Sequence, residues 1–176
     1  MRSFHSLQTN FSDKIAVFTI DLEDGKQVYM SVQADIYESD RHVVVVDAER
    51  LIALWQNDPA GQERQLSYGN RASWKGDYKY SYAETGFAQG FDNPVPLANV
   101  SCLKKCTGPE EKLRFYVAFR DGITRTIWLL AHGAKSIPLE CDNEEEARRL
   151  VSYVAPSPHN YMIKVSRLFA SDHTEK

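Results

Sequence analysis

The chain has little of what would tie it to an oxidising compartment, a bilayer or a duplex. It carries three cysteines in 176 residues: Cys102, Cys106 and Cys141. An odd count, with no export-type apolar segment at Met1-Arg2-Ser3-Phe4-His5, reads as reduced cytosolic thiols rather than a disulfide framework. Long apolar runs are also missing. Stretches such as Val43–Val46 fall far short of the ~20 residues that cross a bilayer, so no membrane insertion is expected. Excess positive charge is absent: Lys+Arg 21 against Asp+Glu 24 gives a formal net charge of −3. That excludes a protein coating duplex DNA through a broad basic surface and leaves room only for a local basic groove. There is no internal repeat and no low-complexity tract. With 43% hydrophobic and 26% charged residues the composition is ordinary for a globular protein. A soluble, cytoplasmic protein is expected, of a length that suits one well-cored domain or one domain plus a modest extension.

Cys102 and Cys106 stand four apart, a spacing that suits two metal ligands on a helix. Structural zinc needs four clustered ligands, and no second His/Cys pair follows closely. Leu103-Lys104-Lys105 between them reads instead as a strand leaving for a turn.

What is present is a strand-rich first third followed by alternating strands and helices. Ile15–Ile20 and Val28–Val32 flank Asp24-Gly25, a hairpin signal. His42–Val46 is a third strand, and Asp47 is an N-cap for a helix over Ala48–Gln56 with Leu51, Leu54 and Trp55 inward. From Asn57 to Lys75 the chain is polar and reads as a loop. A helix over Asp77–Ala88 closes at Gly90. A strand through Leu103, a turn at Thr107-Gly108-Pro109 and a strand over Lys112–Phe119 follow. After Asp121-Gly122, the spacing of Ile123, Ile127, Leu130 and Ala134 predicts a helix ended by a left-handed Gly133. Ser136–Cys141 is a strand, and Glu144–Tyr153 is a helix capped by Asn143 and stopped by Pro156 and Pro158. Tyr161–Val165 is one more candidate strand.

The strand–Asp121-Gly122–helix order gathers unpaired N–H groups and the positive end of a helix dipole, which favour an anion. Gly122 lets the backbone approach a ligand closely. Arg125 breaks a local rule, because a cation in the first helical turn opposes the dipole. A bound phosphate would turn that cost into a gain. The alternative is that Arg125 pairs with Asp121 or Glu140, with Asp121 serving only as an N-cap.

Two sets of residues carry a resemblance. Val95-Pro96-Leu97, Phe119 to Arg125 and Gly133 to Glu140 resemble the ParB/sulfiredoxin fold, whose members bind nucleotide phosphates at a glycine-containing turn that ends in Arg. Trp74 to Lys79, Gly86-Phe87-Ala88-Gln89-Gly90, Asn93 to Ala98 and Gly122 to Leu130 are more closely similar to the plasmid fertility inhibition factors of the oncogenic-suppression group, over roughly residues 43–141. The fold so implied is α/β: a ParB/sulfiredoxin-like mixed sheet with flanking helices over 42–155. A β-hairpin extension packed on the domain (1–41) precedes it, and a tail (156–176) follows.

The resemblance implies a plasmid-borne inhibitor of conjugative DNA export through a type IV secretion system. Its implied target is the coupling protein, at the inner face of the inner membrane, or the relaxase–DNA complex that this protein handles. ATPase and DNase activities go with the group, so ATP, Mg²⁺ and DNA are implied ligands. By matching position, Gly122, Thr124 and Arg125 hold phosphate, Lys79 stands where a phosphate-binding lysine belongs, and Asn93, Asp121 and Glu140 line the cleft. Asp121 and Glu140 are the candidate metal ligands, and Arg125, Glu140 and Asp121 the candidate catalytic set. The chain departs from sulfiredoxin where a nucleophilic cysteine and a histidine are replaced by Ile123 and Thr124, which excludes sulfinic acid reductase chemistry. No helix-turn-helix of the DNA-clamping ParB kind is expected after Pro156. An alternative reading is a nucleotide-binding regulator or nuclease unrelated to conjugation.

Each remaining candidate also has a plain structural reading. Lys79 is either a phosphate ligand or a solvated helical lysine. Tyr78, Tyr80, Tyr82 and Phe87 either stack bases or pack a core and an interface. Glu140 either serves as metal ligand and base or orients Arg125. His132, placed on the exposed side of its helix, is a C-terminal dipole partner. Trp55, Trp74 and Trp128 are assigned to the core.

Overall fold

The computed structural model of the chain describes residues 4–9, 14–34, 39–61, 63–107, 112–154 and 162–169. β1 (Phe4–Thr9), β2 (Lys14–Asp21) and β3 (Gln27–Gln33) form an antiparallel meander, and β5 (Val95–Pro96) adds parallel to β3 to complete a four-stranded sheet. The β2–β3 turn closes as its Asp-Gly signal requires. Leu22 N–H donates to the Lys26 carbonyl at 2.9 Å, and Gly25 takes φ +81°. β1 has no counterpart in the sequence reading.

The second sheet runs β7-β6-β8-β4-β9 and is mixed. β4 (His42–Asp47) lies between β8 (Ser136–Cys141) and β9 (Met162–Lys164), antiparallel to both. β6 (Ala98–Thr107) is parallel to β8 and antiparallel to the outer strand β7 (Lys112–Asp121). Val43 to Val46 are all buried, so β4 is covered on both faces, as a run of β-branched residues without alternation requires. Helices α1 (Ala48–Trp55) and α6 (Glu144–Val154) pack on β4. One continuous core joins Phe18 and Met30 of the first sheet to Leu51, Ile127, Leu139 and Leu150. The expected mixed sheet with flanking helices is present.

Local chemistry explains where the elements differ from expectation. The polar stretch read as a loop holds two short helices, α2 (Arg64–Ser67) and α3 (Arg71–Lys75). Asn70 caps α3 in a reciprocal box with Ser73, and Trp74 Nε1–H donates to the Leu66 carbonyl at 2.8 Å, tying the two together. α4 begins at Tyr80, not Asp77, and runs to Phe87, because the Asp77 side chain accepts the Lys79 N–H and so holds a turn there. β6 continues through Cys106 to Thr107, its pairing with β7 outlasting the change to polar residues at Lys104. Asp47 and Asn143 cap α1 and α6 as expected. β9 falls within the expected strand at Tyr161–Val165, and α7 (Val165–Leu168) follows it directly. The turn at Gly108-Pro109, the stops at Pro156 and Pro158, and Tyr161 lie outside the described residues.

Candidate functional site

The Asp121-to-Arg125 turn joins β7 to α5 (Ile123–Ala131). Gly122, not Asp121, is the N-cap residue, with φ +90°. No side chain caps the helix, and the first closing bond runs from Thr126 N–H to the Gly122 carbonyl at 3.1 Å. A Cβ on Gly122 would lie 2.5 Å from the Ala98 Cβ and 2.9 Å from the Arg125 Nε. Glycine is therefore required twice over, for its dihedral and for close packing of the turn on β6. The space its missing side chain leaves is filled by the chain itself.

Arg125 is held in the same way. Its Nη1 donates to the carbonyls of Pro96 at 2.7 Å and Leu97 at 3.3 Å, and its Nη2 to Asp121 Oδ2 at 2.5 Å. Of the readings open in the sequence, pairing with Asp121 is the one the geometry realises. Glu140 pairs elsewhere: Arg41 Nη1 donates to its Oε1 at 2.6 Å, across 99 residues of sequence.

The seven candidate residues divide into three groups. Lys79, Thr124 and Arg125 meet around a small hollow of about 230 Å³ between one face of α4 and the start of α5, alongside Tyr82, Ala83, Gly86 and Val95. Gly122 backs this group from the turn. Asn93 and Glu140 line a different cavity, of about 490 Å³, with Ser31, Gln33, Arg41 and Pro94. Pro96 and Leu97 line this second cavity too, and their carbonyls hold Arg125, so this segment is the wall between the two spaces. Asp121 belongs to neither lining and its side chain is 72% exposed. Asp121 and Glu140 both stand beside Asn99 on its two neighbouring strands, two strand spacings or ~10 Å apart. Each carboxylate is already matched by a different guanidinium.

The residues present thus fit a phosphate group better than they fit a whole nucleotide or a metal ion. Lys79 and the start of a nine-residue helix supply cationic and polar donors in a lining that is otherwise largely apolar, with Ala83, Gly86 and Val95. The hollow is smaller than the ~300 Å³ at which cavities begin to enclose ligands of nucleotide size. Asp121 and Glu140 do not converge on a common point, so Mg²⁺ does not fit there and no step is routed through it. The Lys79 ammonium is held above its ordinary pKa, chiefly by its hydrogen bond with Tyr78, so it is fully charged at neutral pH. Among the described residues, the group of side chains close enough to share a cation is Asp40, His42 and Glu144, within 4.8 Å of one another. These are bonded internally: Asp40 Oδ2 accepts the Glu144 N–H at 2.8 Å, and His42 Nδ1 donates to the Asp40 carbonyl at 2.7 Å.

The other candidates fall mostly on their structural side. Trp55, Trp74 and Trp128 are buried. Phe87 stacks on Trp128, with ring centroids 4.4 Å apart, while Tyr78 and Tyr82 are exposed. His132 is half-buried rather than on an open face. It stacks on Trp128 at 3.8 Å, and its Nδ1 donates to the Trp128 carbonyl. Cys102 and Cys141 are buried and Cys106 exposed, all as free thiols. Arg41 was not anticipated at all, since nothing in the sequence near Arg41 signals a partner as distant as Glu140.

Comparison with known proteins agrees with this architecture. A family model described as plasmid fertility inhibition factor matches residues 43–155. Protein osa of Shigella flexneri is 40% identical over 93 residues, 52% of this chain and 44% of that protein, so the match spans less than half the length of this curated relative. Among solved structures, the crystal structure of oncogenic suppression activity protein, a plasmid fertility inhibition factor, in its gold(I) cyanide derivative, superposes with a TM-score of 0.73 at 25% identity. That superposition covers 96% of this chain and 81% of the other.

Proposed function

Because the chain belongs to the plasmid fertility inhibition factor family, we propose that it blocks conjugative DNA transfer through a type IV secretion system by binding a component of the transfer machinery. The coupling protein at the inner face of the inner membrane, or the relaxase–DNA complex it receives, is the target in this reading, and the chain acts from the cytoplasm. The observation that supports binding over catalysis is the state of Arg125. Its guanidinium is spent on the Pro96 and Leu97 carbonyls and on Asp121, so it serves as a brace for the turn. The separation of Asp121 from Glu140 supports the same reading, because metal-assisted hydrolysis would need the two carboxylates to converge on one ion.

A second reading, a nucleotide-dependent ATPase and DNase, is favoured by the meeting of Lys79, Thr124 and Arg125 around one hollow. Arg125 would have to release Pro96 to reach a phosphate there, while Lys79 would give up only its contact with the exposed Tyr78. One set of measurements separates the two readings. ATP turnover, plasmid nicking and inhibition of transfer are compared for the wild type, Lys79→Ala and Arg125→Ala, with folding checked by urea denaturation. The binding reading expects transfer to remain blocked by Lys79→Ala. Loss of turnover and of inhibition together in Lys79→Ala, by about tenfold or more, would overturn it.

A further inference from the structure

The β6–β7 ribbon and the segment after α1 enclose a concavity of about 490 Å³. Arg64, Tyr68, Lys105, Arg114 and Tyr116 line it, with Asp58. Its charge is opposite in sign to that of the whole chain, whose net charge is −3. The register makes the arrangement unusual: Lys105 of β6 stands directly opposite Arg114 of β7. Like charges in that position destabilise a ribbon. Neither residue, nor Arg64, has an ion-pair partner among the described residues. The Arg64 guanidinium lies over the Tyr68 ring, 5.6 Å from its centroid, and that ring is 57% exposed.

A second concavity, of about 310 Å³, adjoins the first and shares Asp58 and Tyr116 with it. Its wall is apolar, formed by Trp55, Leu103, Ala118 and Ile123, and Glu63 stands at its rim. One groove therefore runs from a three-cation end, past Asp58, into an apolar end beside another carboxylate. A polyanion such as single-stranded nucleic acid would bring its regularly spaced phosphates against Asp58 and Glu63. A polypeptide with acids at one end and an apolar anchor at the other sets three cations against Asp58 and carries no charge to Glu63.

We propose that this groove is a docking site for a short acidic peptide segment of a partner protein, its carboxylates held by Arg64, Lys105 and Arg114 and an aliphatic or aromatic anchor seated against Leu103 and Ala118. The site is separate from the Arg125 turn. It rests on the interaction reading above only for the identity of the protein that carries the segment.

The test is fluorescence anisotropy with the purified full chain and a labelled probe of about twelve residues, in which four glutamates precede two leucines. Saturable binding is expected, weakened at least about tenfold by Lys105→Glu and by replacing the probe leucines with serine. Lys105→Glu puts an opposite charge across from Arg114, so its urea midpoint should equal or exceed that of the wild type, which separates lost binding from lost folding. Four results would overturn the proposal: no saturation at about 1 mM protein, undiminished binding by Lys105→Glu, indifference to the leucines, or tighter binding of a thymidine oligonucleotide of matching length. The measurement needs no transfer machinery. Its failure leaves the interaction reading standing, and failure of that reading in the transfer assay leaves peptide binding as measured.

Discussion

Cys102, Cys141 and Cys106 are chemically alike and differ only in surroundings. Burial pushes the Cys102 thiol up to about 12. Cys141 is raised for the same reason, with Glu146 nearby adding to it. Both are therefore neutral, unreactive thiols in the native protein, and the exposed Cys106 is the one open to alkylation. The sign of the pH effect follows from linkage. Below about 8.5 a thiol is protonated in folded and unfolded chains alike and contributes no pH dependence. Between there and about 12 the unfolded chain releases a proton that folded Cys102 retains, so stability falls as pH rises, by up to about 1.4 kcal/mol per pH unit. Urea midpoints between pH 8 and pH 10 should therefore fall more steeply for the wild type than for Cys102→Ala. Equal slopes would mean that this thiol is not the group responsible.

Arg125 couples three elements, since its own helix α5 is joined through it to the end of β7 and to the segment leading into β6. The bonds it makes are unequal. Asp121 is largely solvent-exposed, so that ion pair should contribute only ~0–1 kcal/mol. The Arg125 side chain is itself only 16% exposed, it donates to two carbonyls, of which that of Leu97 is part-buried, and hydrogen bonds from a charged donor contribute ~1.5–3 kcal/mol. Arg125→Ala should lower unfolding stability by about 2 kcal/mol, while Asp121→Asn should change it by less than about 0.5 kcal/mol. A larger loss from Asp121→Asn in chemical denaturation would reverse that ranking. This asymmetry also explains what could be read in advance. The Asp-Gly turn, the helix after it and the capping by Asp47 and Asn143 are local, and their signals lie within a few residues. The destination of the Arg125 guanidinium was not legible, because the Pro96 and Leu97 carbonyls lie 29 and 28 residues away and backbone acceptors leave no mark in side-chain identity. The pairing of Arg41 with Glu140 was hidden by the same separation, and so was the division of the candidate residues between two cavities. α2 and α3 were missed for a different reason: Trp74 and the Asn70–Ser73 box supply stability that neither hydrophobic period nor propensity announces.

At the scale of the whole molecule the sheets are interdependent. An N-terminal extension can be removed from a domain when it merely rests on it. Here β5 completes the first sheet, and Phe18, Ile20, Met30 and Val32 are buried in the same core as β4 and β8. At about 1.5–3 kcal/mol for each side chain, these four represent about 6–12 kcal/mol of burial, against ~5–15 kcal/mol for the net stability of a typical protein. A chain beginning at Asp40 should accordingly lose its cooperative urea transition and its near-ultraviolet circular dichroism. Retention of a sharp transition would show that residues 42–155 fold alone.

The order of strands in the second sheet also sets a schedule for biosynthesis. β4 emerges from the ribosome early, but both strands that flank it, β8 and β9, are made after it. At ~5–20 residues per second, roughly 5–20 s pass between synthesis of Val43–Val46 and of the first residues able to pair with them. During that interval four consecutive valines, the sort of run that seeds intermolecular strand pairing, have no native strand partner. Soluble yield should then depend on translation speed and chaperone supply more than on the equilibrium stability of the finished fold.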